Sequence, residues 1–94
     1  MPGKLSTTKI NDAIANLDGW EGSDSELSKQ FKFADHITAV GFAVRVAMAA
    51  EVMDHHPDLR IVYNTVDFHL SSHDAGGVTD RDLKLAAKIN ELAS

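Results

Sequence analysis

Four of the five histidines in this chain lie within one short stretch, and they are His55, His56, His69 and His73. Histidine ordinarily titrates close to neutral pH, so a group of histidines suits proton transfer. The surroundings are acidic, because residues 51–82 contain seven acidic and two basic side chains. The pattern predicts an acid/base site made by His55, His56 and His73.

The remaining two histidines have structural interpretations. His69 alternates with apolar residues along a predicted strand, and we expect its ring to point to solvent. His36 lies near the start of a predicted helix and has only Asp35 as an acidic neighbour. Neither histidine is placed in the predicted site.

Rival chemistries require spacings that the chain lacks. His69 and His73 are four apart but on a strand and its end, and adjacent His55 and His56 cannot easily direct both rings at one zinc ion. There is no cysteine, no HExxH pattern and no G-x-S-x-G elbow, and Gly76-Gly77 lacks the Lys-Ser/Thr of a phosphate loop. We therefore expect no metal and no serine nucleophile.

Length and charge limit the function classes. The 94 residues fit a single domain spanning residues 1–94, and a net charge of −5 argues against binding the nucleic-acid backbone. Residues 1–9 are polar and lack the apolar run of a signal peptide. The longest weakly charged stretch, residues 37–50, is shorter than the ~20 residues of a membrane span. A cytoplasmic location, with no membrane partner, is the expectation.

The first half of the chain predicts one helix and two strands. Thr7 or Thr8 is the predicted N-cap of the helix, and Asp18-Gly19 its end. Its apolar residues follow a spacing of three and four: Ile10, Ala13, Ile14 and Leu17. Short strands are then predicted at Trp20–Glu21 and at residues 27–33, with a turn at residues 22–25.

A long helix follows, with Asp35 as its predicted N-cap and Pro57 as its predicted stop. It carries a first apolar stripe, Ile37, Val40, Val44 and Met48, and a second apolar stripe, Phe42, Val46, Ala49 and Met53. Arg45 is the only charged residue in positions 37–50, whereas a helix with one buried face should be charged on its back. We therefore expect the second stripe to pack against another subunit.

The last third predicts a hairpin, a loop and a helix. Strands are predicted at residues 60–64 and 66–71, and the glycines of loop 73–78 could let a flat ligand approach the backbone. Thr79 is the predicted N-cap of the final helix. The order α-β-β-α-β-β-α predicts an α+β fold, with a four-stranded antiparallel sheet and three helices on one face.

Two segments carry a resemblance to a known family. Residues 51–57 read Glu-Val-Met-Asp-His-His-Pro, and Tyr63 and His73 follow at set intervals. Residues 71–83 contain a His-x-x-x-Gly-x-Thr-x-x-Asp pattern that ends at Asp82. Together they resemble the signature of the pterin-4a-carbinolamine dehydratases, and Trp20, the Phe31/Phe33 pair and residues 49–51 also fit. The departures are Ser72, Val78 and His36, where threonine, leucine and phenylalanine are usual, and none removes a proton-transfer group.

The resemblance implies dehydration of 4a-hydroxytetrahydropterin to quinonoid dihydropterin, in tetrahydrobiopterin recycling, with no metal or organic cofactor. It also implies a homodimer or homotetramer that uses the long helix, residues 35–55. Some animal members of the family bind a homeodomain transcription factor. Two alternatives therefore stay open: a non-catalytic interaction module, and a dehydratase for molybdopterin-type or folate-type pterins.

The implied site has three kinds of residue. An acid must protonate the oxygen that leaves C4a and a base must take the N5 proton, and His55, His56 and His73 share these two tasks in an order that stays open. The same histidines bind the pterin together with Asp54, Ser71, Ser72 and Asp74. Supporting residues are Glu51, Arg81 and Asp82.

Overall fold

The computed structural model describes residues 3–94, so the first two residues of the polar start lie outside it. The described elements are α1 (Thr7–Ile14), β1 (Glu21–Gly22), β2 (Leu27–Lys32), α2 (His36–Val52), β3 (Asp58–Val62), β4 (Thr65–Leu70), a short 3-10 helix (His73–Ala75) and α3 (Asp80–Ala93). The strands form one antiparallel sheet in the order β1-β2-β4-β3. The predicted α+β class and element order are confirmed.

The hydrophobic core lies between one face of the sheet and the three helices. On β4, Val66, Phe68 and Leu70 are buried while the residues between them are partly exposed. This is the expected period of two for a strand with one covered face. The inward residues of β4 join one cluster with Ile10 of α1, buried residues of α2 and Leu85 of α3. Asp67, His69 and Ser71 are thereby left on the opposite, open face.

The first helix differs from its predicted bounds at both ends. Ser6, rather than Thr7 or Thr8, is the N-cap, because its hydroxyl accepts from the Lys9 backbone N–H at 3.2 Å. The helix ends at Ile14, so Leu17 lies in the following turn but still packs against the core. The apolar spacing identified the buried face correctly and overestimated the length of the helix.

The end of α2 determines where the adjacent histidines point. Asp35 is its N-cap, as predicted, but the helix ends at Val52 without the help of Pro57. Asp54 adopts a left-handed conformation (φ 53°), and the His55 N–H returns to the Ala50 carbonyl at 3.0 Å. These are the features of a Schellman motif, which reverses the chain direction. As a result, His55 is buried and His56 is exposed.

The prediction about the two stripes of α2 is wrong. Phe42 and Val46 of the second stripe are fully buried within this chain, because α2 lays that face on the sheet. The exposed apolar residues lie on the other side: Ile37 (83%), Val44 (50%), Met48 (66%) and Val52 (87%). We call these four the outer stripe. None of the helices among residues 3–94 combines the length and apolar character needed to cross a bilayer.

The segment between β4 and α3 is organised by backbone contacts. The β3–β4 turn is Tyr63–Asn64, because β3 ends two residues and β4 begins one residue before the predicted bounds of these strands. A Cβ at Gly77 would lie 2.3 Å from the Asp24 carbonyl oxygen, so this glycine is needed for packing against the β1–β2 turn. The approach of a flat ligand to the backbone of this glycine loop stays a prediction. Thr79 caps α3 as predicted, in a capping box with Asp82.

Candidate active site

A buried hydrogen-bond network lies behind the open face of the sheet. Asp82 is fully buried, and its Oδ1 accepts from His55 Nε2 at 2.5 Å. Its Oδ2 accepts from the Ser72 hydroxyl at 2.8 Å and from the Thr79 backbone N–H at 2.9 Å. The Thr79 hydroxyl completes the network, 2.8 Å from Ser72 Oγ. We call His55, Ser72, Thr79 and Asp82 the buried network.

The buried network joins three parts of the fold. His55 follows α2, Ser72 follows β4, and Asp82 lies in the first turn of α3. No buried side-chain polar atom among the described residues lacks a hydrogen-bond partner. A fully satisfied polar network specifies one arrangement, because breaking any link leaves a buried group unpaired. The network therefore fixes the backbone from which His56 and His73 project, since each directly follows one of its members.

One cavity collects histidines from several elements. It has a volume of about 200 Å³ and its lining residues are Glu26, His56, Asp58, His69, Ser71 and His73. Two other cavities contain His69 alone or no histidine at all. The histidine-lined cavity is smaller than the ~300–1,000 Å³ of pockets for drug-sized ligands. It suits a single small ring system whose substituents extend outside.

Two of the cavity histidines are held by carboxylates. His56 Nε2 donates to Glu51 Oε1 at 2.7 Å, and His69 Nδ1 donates to Glu26 Oε2 at 2.5 Å. A carboxylate on one ring nitrogen fixes the tautomer and orientation of the imidazole. The neutral ring then presents its other nitrogen as an acceptor: Nδ1 in His56 and Nε2 in His69. Both groups can accept a hydrogen bond or a proton from a bound molecule.

Another acidic residue beside the site pairs with a cation. Asp74, in the 3-10 helix, accepts from Arg81 Nη2 at 2.6 Å. This hydrogen bond, opposed by a smaller desolvation effect, lowers the pKa of the Asp74 carboxyl below its ordinary value. Arg81 thereby ties the segment after His73 to the first turn of α3.

Replacing Arg81 should raise the pKa of Asp74. In Arg81→Met the hydrogen bond and the positive charge are both lost, so the Asp74 pKa should return towards its ordinary value. Because folding lowers this pKa, the pair stabilises the fold above the ordinary carboxyl range, and that contribution is lost as the pH falls through the lowered value. NMR titration of the Asp74 side-chain carbon measures the change. Lys88→Met, which removes an exposed cation paired with Glu91 on the same helix, is the matched control and should leave the pKa of Asp74 lowered as in the wild type.

The predicted site residues divide into three groups. His56, Ser71 and His73 line the cavity. His55, Ser72 and Asp82 belong to the buried network, so His55 does not share the cavity with the other two histidines. Asp54, Asp74, Glu51 and Arg81 surround these residues without lining the cavity.

Sequence reasoning missed three lining residues, Glu26, Asp58 and His69. A signal for His69 was available, because the alternation of β4 places it on the same face as Ser71. Glu26 and Asp58 had none, since the sheet register brings them to His69 from distant positions. His69 pairs directly with Ser28 of β2 and Asp58 of β3.

Within residues 3–94, no group of three or more His, Asp or Glu side chains is placed to hold a metal ion. The arrangement instead offers acid/base groups around a small open cavity. A site of this type can move protons between fixed imidazoles and a bound ring.

Comparison with known proteins assigns the family. The family model described as "Pterin 4 alpha carbinolamine dehydratase" matches residues 3–92. The chain belongs to this family. A relative from Metallosphaera sedula is 48% identical over 89 residues, which cover 95% of this chain and 93% of that protein, and its name is "Putative pterin-4-alpha-carbinolamine dehydratase". A relative from Solibacter usitatus with the same name is 43% identical over 94 residues, covering 100% of this chain and 99% of that protein.

Solved structures share the fold of this dehydratase-family chain. A crystal structure of a transcriptional coactivator/pterin dehydratase from Brucella melitensis has a TM-score of 0.93 and 40% identity, and the match covers 98% of this chain and 100% of that one. A pterin dehydratase-like protein described as a RuBisCO assembly factor in the alpha-carboxysome has a TM-score of 0.65 and 22% identity, over 80% of this chain and 87% of that one. The second likeness concerns the fold alone. Family membership supports pterin dehydration as the general activity.

Proposed function

We propose that this protein dehydrates 4a-hydroxytetrahydropterin to quinonoid dihydropterin and water, in tetrahydrobiopterin recycling. The observation that carries the proposal is the cavity that collects His56, His69 and His73 around a space for one small ring system. Family membership supplies the substrate class. Tetrahydropterins have a nitrogen-rich ring system whose N–H donors suit imidazole acceptors.

The reaction needs two proton transfers and no redox change. The C4a–oxygen bond breaks while an acid gives the leaving hydroxyl a proton, so the oxygen departs as water. A base removes the N5 proton, and the N5–H electron pair forms the N5=C4a double bond. His56 and His73 are the residues that we assign to these steps, because both line the cavity. General acid and base groups typically contribute ~10²–10⁴-fold each.

His55 differs from His56 and His73 in its burial and in its hydrogen bond to Asp82. Its ring is 10% exposed and its Nε2 is engaged by the buried carboxylate of Asp82. A ring held in this way positions its neighbour His56 and is removed from the reacting atoms. We therefore assign His55 as a positioning residue, together with Ser72 and Asp82.

The direct test is stopped-flow dehydration of chemically generated 4a-hydroxytetrahydropterin, with and without the protein. Quinonoid dihydropterin should form faster in proportion to protein concentration. A rate equal to the uncatalysed rate at every protein concentration would contradict the proposal. Dialysis against a strong chelator before the assay should leave the rate unchanged, since the proposed steps use side chains alone.

We further propose that the outer stripe of α2 forms a contact between copies of this chain, giving a dimer or tetramer. Four large apolar side chains exposed along one helix face are a usual sign of a protein interface. Met48→Glu would place a charge in such a contact, where desolvation is costly, and should lower the molar mass in light scattering. Ala47→Glu introduces the same charge at an exposed site about 100° around the helix and should retain the wild-type mass. Equal masses for the wild type and Met48→Glu would place the contact elsewhere.

A second candidate function is an interaction module that acts as a transcription-factor dimerisation cofactor. The exposed outer stripe favours it, as does the coactivator named in the description of the similar Brucella melitensis structure. In that case α2 would be shared between self-assembly and a partner. A protein that forms its assembly but leaves the uncatalysed dehydration rate unchanged would support this candidate over the enzyme.

A further inference from the structure

His69 and Glu26 form a pair that the dehydration steps above do not use. The two side chains are 2.5 Å apart at Nδ1 and Oε2, and both line the cavity that contains His56 and His73. The pair repeats the arrangement of His56 with Glu51, in which a carboxylate also holds one ring nitrogen. One cavity thus contains two imidazoles that are oriented by carboxylates from different parts of the fold.

Stability does not account for the pair. The side chains of His69 and Glu26 are 43% and 52% exposed. Exposed ion pairs typically contribute ~0–1 kcal/mol to folding. His69 also stands on the open face of β4, where it fills no gap in the core. Its loss should therefore leave the fold intact.

His69 lies on a central strand of the sheet, at the histidine-lined cavity. Strand β4 lies inside the sheet, between β2 and β3, and His69 is directly opposite Ser28 on one side and Asp58 on the other. Ser71, two residues further along the same face, also lines the cavity. A ring bound in this cavity would therefore lie beside His69, with His56 and His73 as further lining groups.

The hydrogen bond to Glu26 decides what His69 offers to a ligand. Because the carboxylate accepts at Nδ1, the neutral ring carries its proton there and presents Nε2 as an acceptor. Nε2 has no protein hydrogen-bond partner among residues 3–94. A reduced pterin carries N–H donors on its ring nitrogens and on its 2-amino group. The Nε2 acceptor of His69 and the N–H donors of a reduced pterin are therefore complementary.

We propose that His69, oriented by Glu26, is a substrate-positioning residue that accepts a hydrogen bond from an N–H group of the pterin through Nε2. This inference rests on the proposed pterin dehydratase function and adds a contact to it. The pair fixes where the ring lies, and the proton transfers stay with His56 and His73. Its removal should therefore weaken binding more than it slows the chemical step.

The test uses His69→Leu, His69→Gln and Glu26→Gln in the full chain. His69→Leu should raise both the KM for 4a-hydroxytetrahydropterin and the Kd for 7,8-dihydropterin, a stable reduced pterin, roughly 2- to 13-fold, the range for the net contribution of one hydrogen bond. The kcat should change less than the KM does. His69→Gln, whose amide oxygen can accept near the Nε2 position, should recover most of the affinity, and Glu26→Gln should be intermediate. Glu91→Gln, which alters an exposed ion pair with Lys88 on α3, is the matched control and should bind as the wild type.

The outcomes separate this inference from the proposed function. If the wild type dehydrates the substrate but His69→Leu has unchanged KM and Kd, the inference is wrong and the function stands. If His69→Gln is as impaired as His69→Leu, the acceptor role is wrong. If the wild type binds 7,8-dihydropterin without dehydrating the substrate, the function fails, and a raised Kd in His69→Leu still supports the contact. Absence of all pterin binding by the wild type overturns both.

Discussion

Replacing Asp82 with alanine should lower the free energy of unfolding by about 3–5 kcal/mol, the usual cost of removing one partner from a buried charged pair. Asp82 is fully buried and accepts three hydrogen bonds, from His55, Ser72 and Thr79. Alanine leaves the His55 ring N–H and the Thr79 backbone N–H without a partner, and it also removes half of the capping box at the start of α3. Because 1 kcal/mol corresponds to ~4–8 °C in a domain of this size, Tm should fall by roughly 12–40 °C. Thermal unfolding followed by circular dichroism measures this fall in Tm.

Asp80→Ala is the matched control for this prediction. Asp80 lies in the same first turn of α3 and is also acidic, but it is exposed. Its loss removes only a favourable interaction with the helix dipole, worth ~0.3–1 kcal/mol. Asp82→Asn keeps the shape of the side chain and should fall between the two variants. If Asp80→Ala and Asp82→Ala have the same Tm, the buried network does not stabilise the fold as described.

Some features of the fold follow from local sequence signals and could be predicted. The caps at Asp35 and Thr79 are local signals, and both are confirmed, because a cap depends on residues within one helical turn. The buried face of β4 was also predictable from alternation. These features need no knowledge of distant contacts.

Features that depend on the chain's direction or on distant partners were not predictable. His55 and His56 look equivalent in the sequence, and only the left-handed turn at Asp54 buries one and exposes the other. The helix α2 is apolar on nearly every side, so its periodicity could not tell the core face from the outer stripe. Glu26 reaches His69 across 43 positions through the sheet register. A site assembled in this way can be predicted only in part.

The second large effect is expected at His56 and His73. Alanine at either position should lower kcat for dehydration by roughly 10- to 10⁴-fold, the range for losing a general acid or base. Both side chains line the cavity, and both are exposed, so their removal should leave the fold unchanged. Stopped-flow kinetics give the rates, and circular dichroism confirms that each variant is folded. His36→Ala is the control, because His36 lies outside the cavity, where its Nδ1 forms a hydrogen bond with the Tyr63 carbonyl at 2.7 Å.

The double replacement distinguishes a shared site from two independent ones. If His56 and His73 act on the same substrate ring, removing both should cost less than the product of the single losses, because groups that act as a unit are non-additive. His55→Ala should instead behave like Asp82→Ala, with a loss of stability that accompanies any loss of rate, since His55 reaches the site only through the buried network. Wild-type turnover in folded His56→Ala and His73→Ala would show that the cavity histidines do not perform the chemistry. The exposed outer stripe of α2 would then favour the alternative function, that of an interaction module.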